Sequence, residues 1–230
     1  AAQCALAMIL AIAAGMLMQS YFRLMTQDTG YDRSAAAVTA TYPFTGRESV
    51  ALQIIESTAD QLMRVPGVRE VGVSATAVVG SGVAKRQVKA GGETAAVDMS
   101  YVSPTFFDAA GLTILRGRGL AETDRAWSGV VVNESFARAF LGRAASPLGE
   151  PIIYGGRQAE VVGVVRDVFD KELDVLPVPT VYSILDSSRG AAFTYVLSPG
   201  GTATREQAAV RRAILAGHSH AVVGEVQSIR

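Results

Sequence analysis

Cysteine and histidine are all but missing from this chain of 230 residues, which holds one of the first, Cys4, and two of the second, His218 and His220. A single thiol forms no intrachain disulfide and supplies no cysteine-based metal site. Aromatic residues are sparse at 7%, and basic and acidic side chains balance at 21 each. No cationic stripe of the kind that tracks a phosphate backbone is present, so nucleic acid is not an expected partner. A phosphate loop is lacking too. Gly80-Ser81-Gly82 and Gly117-Arg118-Gly119 do not extend into the dinucleotide fingerprint, and the Gly-x-x-x-x-Gly-Lys pattern occurs nowhere. Both are read as turns, and ATP is not an expected ligand of this chain. No GxSxG nucleophile elbow accompanies either histidine. His218-Ser219-His220 follows a helix-ending glycine with no carboxylate nearby in sequence, so it reads as a solvated loop rather than a metal pair. The sequence therefore nominates no catalytic, cofactor-binding or metal-ligating residue, and no cofactor.

What is abundant is apolar residues, and they are most concentrated at the start. Ala1 to Met18 carry no charge, and apart from Gln3 and Cys4 they are all Ala, Leu, Ile, Met or Gly. At about 1.5 Å per helical residue the run spans roughly 27 Å, close to the ~30 Å of a bilayer's hydrocarbon core. Tyr21, Phe22 and Arg23 follow, which suits an aromatic and basic anchor at the membrane surface. A transmembrane helix is expected here, continuing as a stalk so that residues 1–26 form one unit. Two other readings compete. A secretory signal peptide finds a cleavage-site mimic in Ala11-Ile12-Ala13, but it lacks a basic n-region and the apolar run continues through Met18. A helix buried in a soluble core is the other. The chain begins at Ala1 rather than Met, so further residues are expected upstream.

Beyond Asp28-Thr29-Gly30-Tyr31-Asp32, a turn, residues Ala37 to Tyr42 read as a strand. From Arg47 to Arg64 the period becomes helical, with Ala51, Ile55, Thr58 and Leu62 on one face, a start at Glu48-Ser49 and a stop at Pro66-Gly67. Val71, Val73, Ala75, Ala77 and Val79 alternate as in a half-buried strand. Next come short strands over Val83–Val88 and Thr94–Val102 about an Ala90-Gly91-Gly92 turn. Ser103 is expected to cap a short helix over Thr105–Ala110 that Gly111 ends. Leu112–Leu115 leads into the basic turn Arg116–Gly119, and Val130–Val132 is a strand whose successor Asn133 caps a helix over Glu134–Leu141. Ile152–Tyr154 and Glu160–Val168 form a hairpin about Gly155-Gly156, and Val178–Leu185 is another strand. Ala192–Leu197 is a strand, Pro199-Gly200-Gly201 a turn, and Thr202 or Thr204 a helix cap. Arg205–Leu215 is a helix with Ala209, Ile214 and Leu215 inward, closed by Gly217, and Ala221–Val226 is the last strand. Strand–helix–strand thus stands near both ends with a β-rich stretch between. The expected class is α+β, two α/β halves of one subdomain interrupted by a second.

Asp167, Asp170, Glu172 and Asp174 cluster around Lys171. Carboxylates so spaced can build an acid–base pair or a cation site, but after a strand they read as an exposed loop. Asn133-Glu134-Ser135 matches a glycosylation sequon at a helix start and is given no weight. Asn133, Gly149 and Gly163 are assigned to caps and turns.

The order of segments resembles a known family. An apolar helix ends at QSYFRL, and DTGYDRS precedes the first strand. LMRVPGVREVGVS closes the first helix, followed by VSPTFFDAAGLTILRGRGLAETD, VVVNESFARAFLG, PLGEPI, EVVGVVRDV and VYSIL. This is similar to the extracytoplasmic, MacB-like periplasmic core domain of MacB/FtsX-type ABC transporter permeases, and closest in texture to the branch of duplicated permeases that carry two such domains. The resemblance covers essentially the whole chain and rests on the order of the segments, since no single motif is diagnostic. It implies a first membrane helix running out as a stalk into a discontinuous porter-like subdomain, at 36–80 and 190–230. A β-rich subdomain of the kind called sabre is inserted at 81–189. The implied role is non-catalytic: transmission of ATP-driven motion for efflux or for lipoprotein, lipid or peptide export. The alternative is an FtsX-like sensor or scaffold that recruits a partner without transport. Implied partners are a cytoplasmic ATP-binding subunit, a second permease copy, the lipid bilayer and a periplasmic protein. The implied location is the bacterial inner membrane, with the bulk of the chain outside the cytoplasm. His218-Ser219-His220 stands where the family has a Pro/Asp-rich turn, and further membrane helices are expected after Arg230.

Overall fold

The computed structural model describes residues 12, 14–19, 30–32, 34–43, 48–76, 84–126, 128–142, 144–168, 177–186 and 191–229. Strands from the two ends of the chain lie side by side. β1 (Ala36–Thr41) is antiparallel to both β10 (Ala192–Ser198) and β11 (Val222–Ser228), and β10 is antiparallel to β2 (Glu70–Ser74), giving the order β11-β1-β10-β2. β1 and β2 are therefore parallel with β10 between them, joined by helix α1 (Glu48–Met63). β10 and β11 are parallel with β1 between them, joined by the single turn α4 (Gly200–Ala203) and helix α5 (Gln207–Gly217). Two interleaved split βαβ units make a ferredoxin-like plait.

The helical period of α1 holds. Ala51, Ile55, Thr58 and Leu62 are all 2% exposed or less, and they face the sheet and α5. In α5 the fully buried pair is Val210 and Ile214, while the expected Ala209 and Leu215 are only half-buried at the margin. Where a turn was expected at Gly200-Gly201, the chain makes the one-turn helix α4. Thr204 donates to the Gly201 carbonyl (3.1 Å) and does not cap α5, whose N-cap is Glu206. Gly217 serves close packing rather than a left-handed stop. A Cβ there would collide with Thr58 of α1, so the helix end lies directly against its neighbour. β2 departs from the expected alternation too. It ends at Ser74, and Val71 through Ser74 are all buried because both faces are covered. Ala77 and Val79 lie outside the described residues.

The stretch between β2 and β10 closes on itself. In order come β3 (Ala84–Ala90), β4 (Glu93–Val102), α2 (Phe106–Ala110), β5 (Ile114–Gly117) and a 3-10 turn (Glu122–Ala126). Then follow β6 (Gly129–Asn133), α3 (Glu134–Phe140), β7 (Pro151–Tyr154), β8 (Arg157–Val165) and β9 (Thr180–Ile184). The pairing runs β4-β3-β7-β8-β6-β9, and β9 returns parallel to β4 through five register pairs from Asp98↔Thr180 to Val102↔Ile184. These strands form a six-stranded barrel, with β5 added along β8. Closure removes the sticky edges that an open sheet of short strands presents. Met99, Val181, Val132 and Val164 stand in register on four successive strands, and all are buried in one cluster that continues under α1. The interior also holds a polar link, Tyr154 Oη to Ser183 Oγ at 2.9 Å, between strands that are not neighbours.

A second cluster lies on the other side of the sheet. Phe106, Phe107 and Ala109 of α2 pack against Val131, Tyr182 and Ile184 of the barrel's outer face, and against Ala35, Ala37 and Val196 of the plait. α2 is thus a wedge between the two β systems. Ile12 and residues 14–19 are helical, with Ile12, Met16, Leu17 and Met18 more than half exposed. Among the described residues no helix is long and apolar enough to cross a membrane. The remainder of the expected Ala1–Met18 span, and the Tyr21–Arg23 anchor, lie outside the described residues.

Candidate functional site

The residues that sequence reasoning weighed for chemistry are placed apart. His218 is half-buried rather than solvated: its ring stands edge-on to Tyr42 at 5.7 Å, with the exposed His220 at 6.1 Å. Beneath it the Tyr42 and Tyr195 hydroxyls meet at 2.6 Å, and Tyr42 also donates to Thr58 (3.4 Å). Burial pushes both phenols up from their ordinary range.

Asp167 does not sit in an exposed loop. It is 7% exposed and accepts from the Ser135 N–H (2.9 Å), the Ser135 hydroxyl (2.8 Å) and Arg138 (3.2 Å), while its own N–H donates to Glu134 (3.1 Å). A carboxylate on the first turn of α3 satisfies donors that the helix leaves free, so its work is capping. Asp170, Lys171, Glu172 and Asp174 lie outside the described residues, as does Gly80-Ser81-Gly82. Among the described residues no group of three or more His, Cys, Asp or Glu side chains could hold a metal ion.

Asn133 caps α3 as expected, its Oδ1 accepting from Phe136 N–H (2.9 Å). The same amide also binds Thr180 N–H (2.9 Å) and the Val178 carbonyl (2.9 Å), which leaves the sequon asparagine spent and 2% exposed. In the basic turn, Arg118 grips Asp124 through two bonds of 2.7 and 3.0 Å. That guanidinium holds the carboxyl below its usual range, against the opposing effect of burial.

What the fold does bring together is a joint. Among the described residues β2 and β4 share one register pair, Ser74↔Val102. Around it Ser103 N–H donates to Val73 O (2.8 Å), Val73 N–H to Ser103 Oγ (2.9 Å), Ala75 N–H to Tyr101 O (2.8 Å), and Thr105 Oγ1 to Val71 O (2.7 Å). The hydroxyls of Ser74, Thr76 and Ser100 bond one another at 2.9–3.4 Å. Ser103 was expected to cap α2, and it does not. The α2 N-cap is Thr105, without a side-chain bond, because both hydroxyls are used on the backbone of β2. Gly72 completes the fit: a Cβ there would sit 2.7 Å from the Cα of Phe106 and 3.0 Å from Ala109. α2 therefore rests on β2 backbone to backbone.

A second tie crosses from the barrel side to α1. Arg125 donates to Glu56 (2.7 Å), to the Leu185 carbonyl (3.0 Å) and to Glu122. With Glu56 half in water this pair contributes about 0.2–1 kcal/mol. Apart from the joint, an open cleft of about 280 Å³ lies between α5 and β11, with Arg211 and Glu225 on its walls and no convergent set of polar groups. Ser103, Val71 and Val73 were legible in the sequence as an expected cap and as strand residues, but not as a joint. One signal was present, since an isolated glycine inside a strand pattern, Gly72 in EVGVS, marks a close backbone approach.

Comparisons with known proteins fall on this architecture. The family model described as "MacB-like periplasmic core domain" matches residues 2–213. No curated protein matches the chain. Among solved structures, the chain is similar to the periplasmic region of MacB from Actinobacillus actinomycetemcomitans, with a TM-score of 0.58 and 19% identity over 88% of this chain and 94% of that one. It is also similar to the extracellular domain of the noncanonic ABC-type transporter YknZ from Gram-positive bacteria, with a TM-score of 0.56 and 18% identity over 82% of this chain and 100% of that one. At such identities the likeness is one of fold.

Proposed function

The chain belongs to the family of MacB-like periplasmic core domains, and from that premise we propose that it is the mechanical outer part of an ABC transporter permease, without catalytic chemistry of its own. Residues 1–26 supply the membrane helix and the start of a stalk, and the bulk of the chain lies outside the bacterial inner membrane. ATP is hydrolysed by a separate cytoplasmic subunit, a second permease copy completes the pair, and the outer domain passes helix motion to a substrate or a periplasmic protein. In this reading the porter-like subdomain is formed by 36–80 and 190–230, and the inserted subdomain by 81–189.

The observation that carries this reading is the joint. A domain that relays motion needs its two β systems coupled stiffly, and coupling travels through packed, hydrogen-bonded elements. α2 set on Gly72, with Ser103 and Thr105 bonded to β2, is such an element.

The test is ATP hydrolysis by the intact permease and its ATP-binding partner in lipid, with and without residues 36–228. Altered or uncoupled hydrolysis in a complex that still assembles supports the relay. An unchanged rate overturns it and leaves a sensor or scaffold.

A further inference from the structure

The described residues of the lead-in to the plait, 30–32, 34 and 35, are gripped from two sides by elements of the inserted stretch. On one side, the Asp32 N–H donates to the Ala110 carbonyl at the end of α2 (2.9 Å). Gly111, in the left-handed region at φ 68°, brings its Cα so near that a Cβ would overlap that of Asp32 and lie 3.0 Å from its nitrogen. On the other side, Gly30, at φ 86°, sits where a Cβ would come 2.8 Å from the Asp167 carbonyl and 3.2 Å from Val168, just past β8. Tyr31 and Val168 each pack against the second core cluster.

The segment is also knit internally and to the far end of the chain. Asp32 accepts from the Ser34 N–H and hydroxyl (both 2.8 Å), and its carbonyl accepts from Ala35 N–H (2.9 Å). Ile229, 2% exposed, donates its N–H to the Ala35 carbonyl (3.1 Å). The lead into β1 and the end of β11 therefore meet at Ala35, beside α2.

We infer that this lead-in, Gly30 to Asp32 with Ser34 and Ala35, is a clamp that hands any displacement of the chain before it to the barrel and the plait together. A segment held only by β1 would hand motion to the plait alone, and the barrel would follow through the joint. Here the carbonyl ends of α2 and β8, both from the inserted stretch, hold the lead-in before it becomes a strand. This rests on the permease reading for its purpose but not for its test, which needs neither lipid nor an ATP-binding partner.

Native-state hydrogen exchange on the unmodified chain is the first measurement. The amides of Asp32, Ala35 and Ile229 are expected to exchange as one unit with Leu112 of the α2 exit and Ser135 of α3. Exchange of Asp32 at the rate of a frayed end would overturn the clamp. A double-mutant cycle is the second. Gly30→Ala and Gly111→Ala each force alanine into the left-handed region against a jaw, and each lowers the folding equilibrium constant by about tenfold or more. If both release the same clamp, the pair falls well short of the product of the two. Gly155→Ala, at φ 58° with nothing within 4 Å, carries backbone strain alone and should multiply fully with either. Full multiplication for Gly30→Ala with Gly111→Ala would overturn the inference. The failure of either test leaves the permease reading standing.

Discussion

Ser103 and Val73 bond each other twice, N–H to carbonyl in one direction (2.8 Å) and N–H to hydroxyl in the other (2.9 Å). The second bond continues the backbone pattern by a side chain, one residue beyond the β2–β4 register pair. Ser103→Ala would leave the Val73 N–H facing β4 without an acceptor. An unmet donor in a half-buried position costs about 1–3 kcal/mol. Urea unfolding of Ser103→Ala should show a lower midpoint with an unchanged slope. A midpoint equal to that of the wild type would mean that water replaces the hydroxyl and the joint is looser than its distances indicate.

Gly72→Ala tests the backbone contact directly. The added methyl meets the main chain of α2, which cannot swing aside as the end of a side chain can. Overpacking of this kind costs about 1–3 kcal/mol. Because α2 wedges against Tyr182 on the barrel, the Tyr182 ring environment should change as well, read by its NMR shifts. Gly201→Ala, with nothing within 4 Å, is the control and should leave stability near the wild type.

How much of this could be read in the sequence follows from the range of each interaction. The buried face of α1 was legible because Ala51, Ile55, Thr58 and Leu62 repeat at helical spacing. The two glycine-paired hairpins and the Asn133 cap were legible because their signals lie within a few residues. Closure of the barrel was not. It depends on Asp98–Val102 lying parallel to Thr180–Ile184 across some eighty residues, and nothing in either segment names the other. Ser103 misled for a physical reason. A serine before a short helix is a good cap in isolation, but a strand with a free N–H stood within reach, and the tertiary bond won. Asp167 misled likewise, as an acid in a charged run that the fold turns inward onto the start of α3.

Tyr42 and Tyr195 set a limit on alkaline stability. Burial raises both phenols, so in the folded chain they stay protonated where an exposed tyrosine, near pH 10, ionises. A raised folded pKa contributes stability that is fully present below the unfolded value and is lost progressively as pH climbs from there toward the folded value. Stability should therefore fall above about pH 10. Tyr195→Phe should flatten that fall, while costing about 0.5–1.5 kcal/mol at neutral pH for the lost 2.6 Å bond, since the Tyr42 hydroxyl keeps Thr58. Denaturant midpoints at pH 7, 9 and 10.5 would read both effects. An alkaline slope unaffected by the substitution would assign the loss to other groups.

Arg125 divides its bonds between two kinds of partner, and that division predicts two different costs. The Glu56 carboxylate is half in water, so Glu56→Gln should cost under about 1 kcal/mol, and less in high salt. The Leu185 carbonyl is a fixed backbone acceptor at the end of β9, and it keeps its 3.0 Å bond in that variant. Arg125→Ala removes the bonds to Glu56, Leu185 and Glu122 together with the packed stem of the side chain, and should cost distinctly more, with only part of the loss depending on salt. Urea midpoints for both variants at 50 mM and 500 mM salt separate the contributions. If Glu56→Gln proved as costly as Ser103→Ala, the ion pair would be the principal tie between α1 and the barrel, and the joint at Gly72 and Ser103 would be secondary. The exposure of Glu56 and the burial of β2 and α2 favour the opposite ranking.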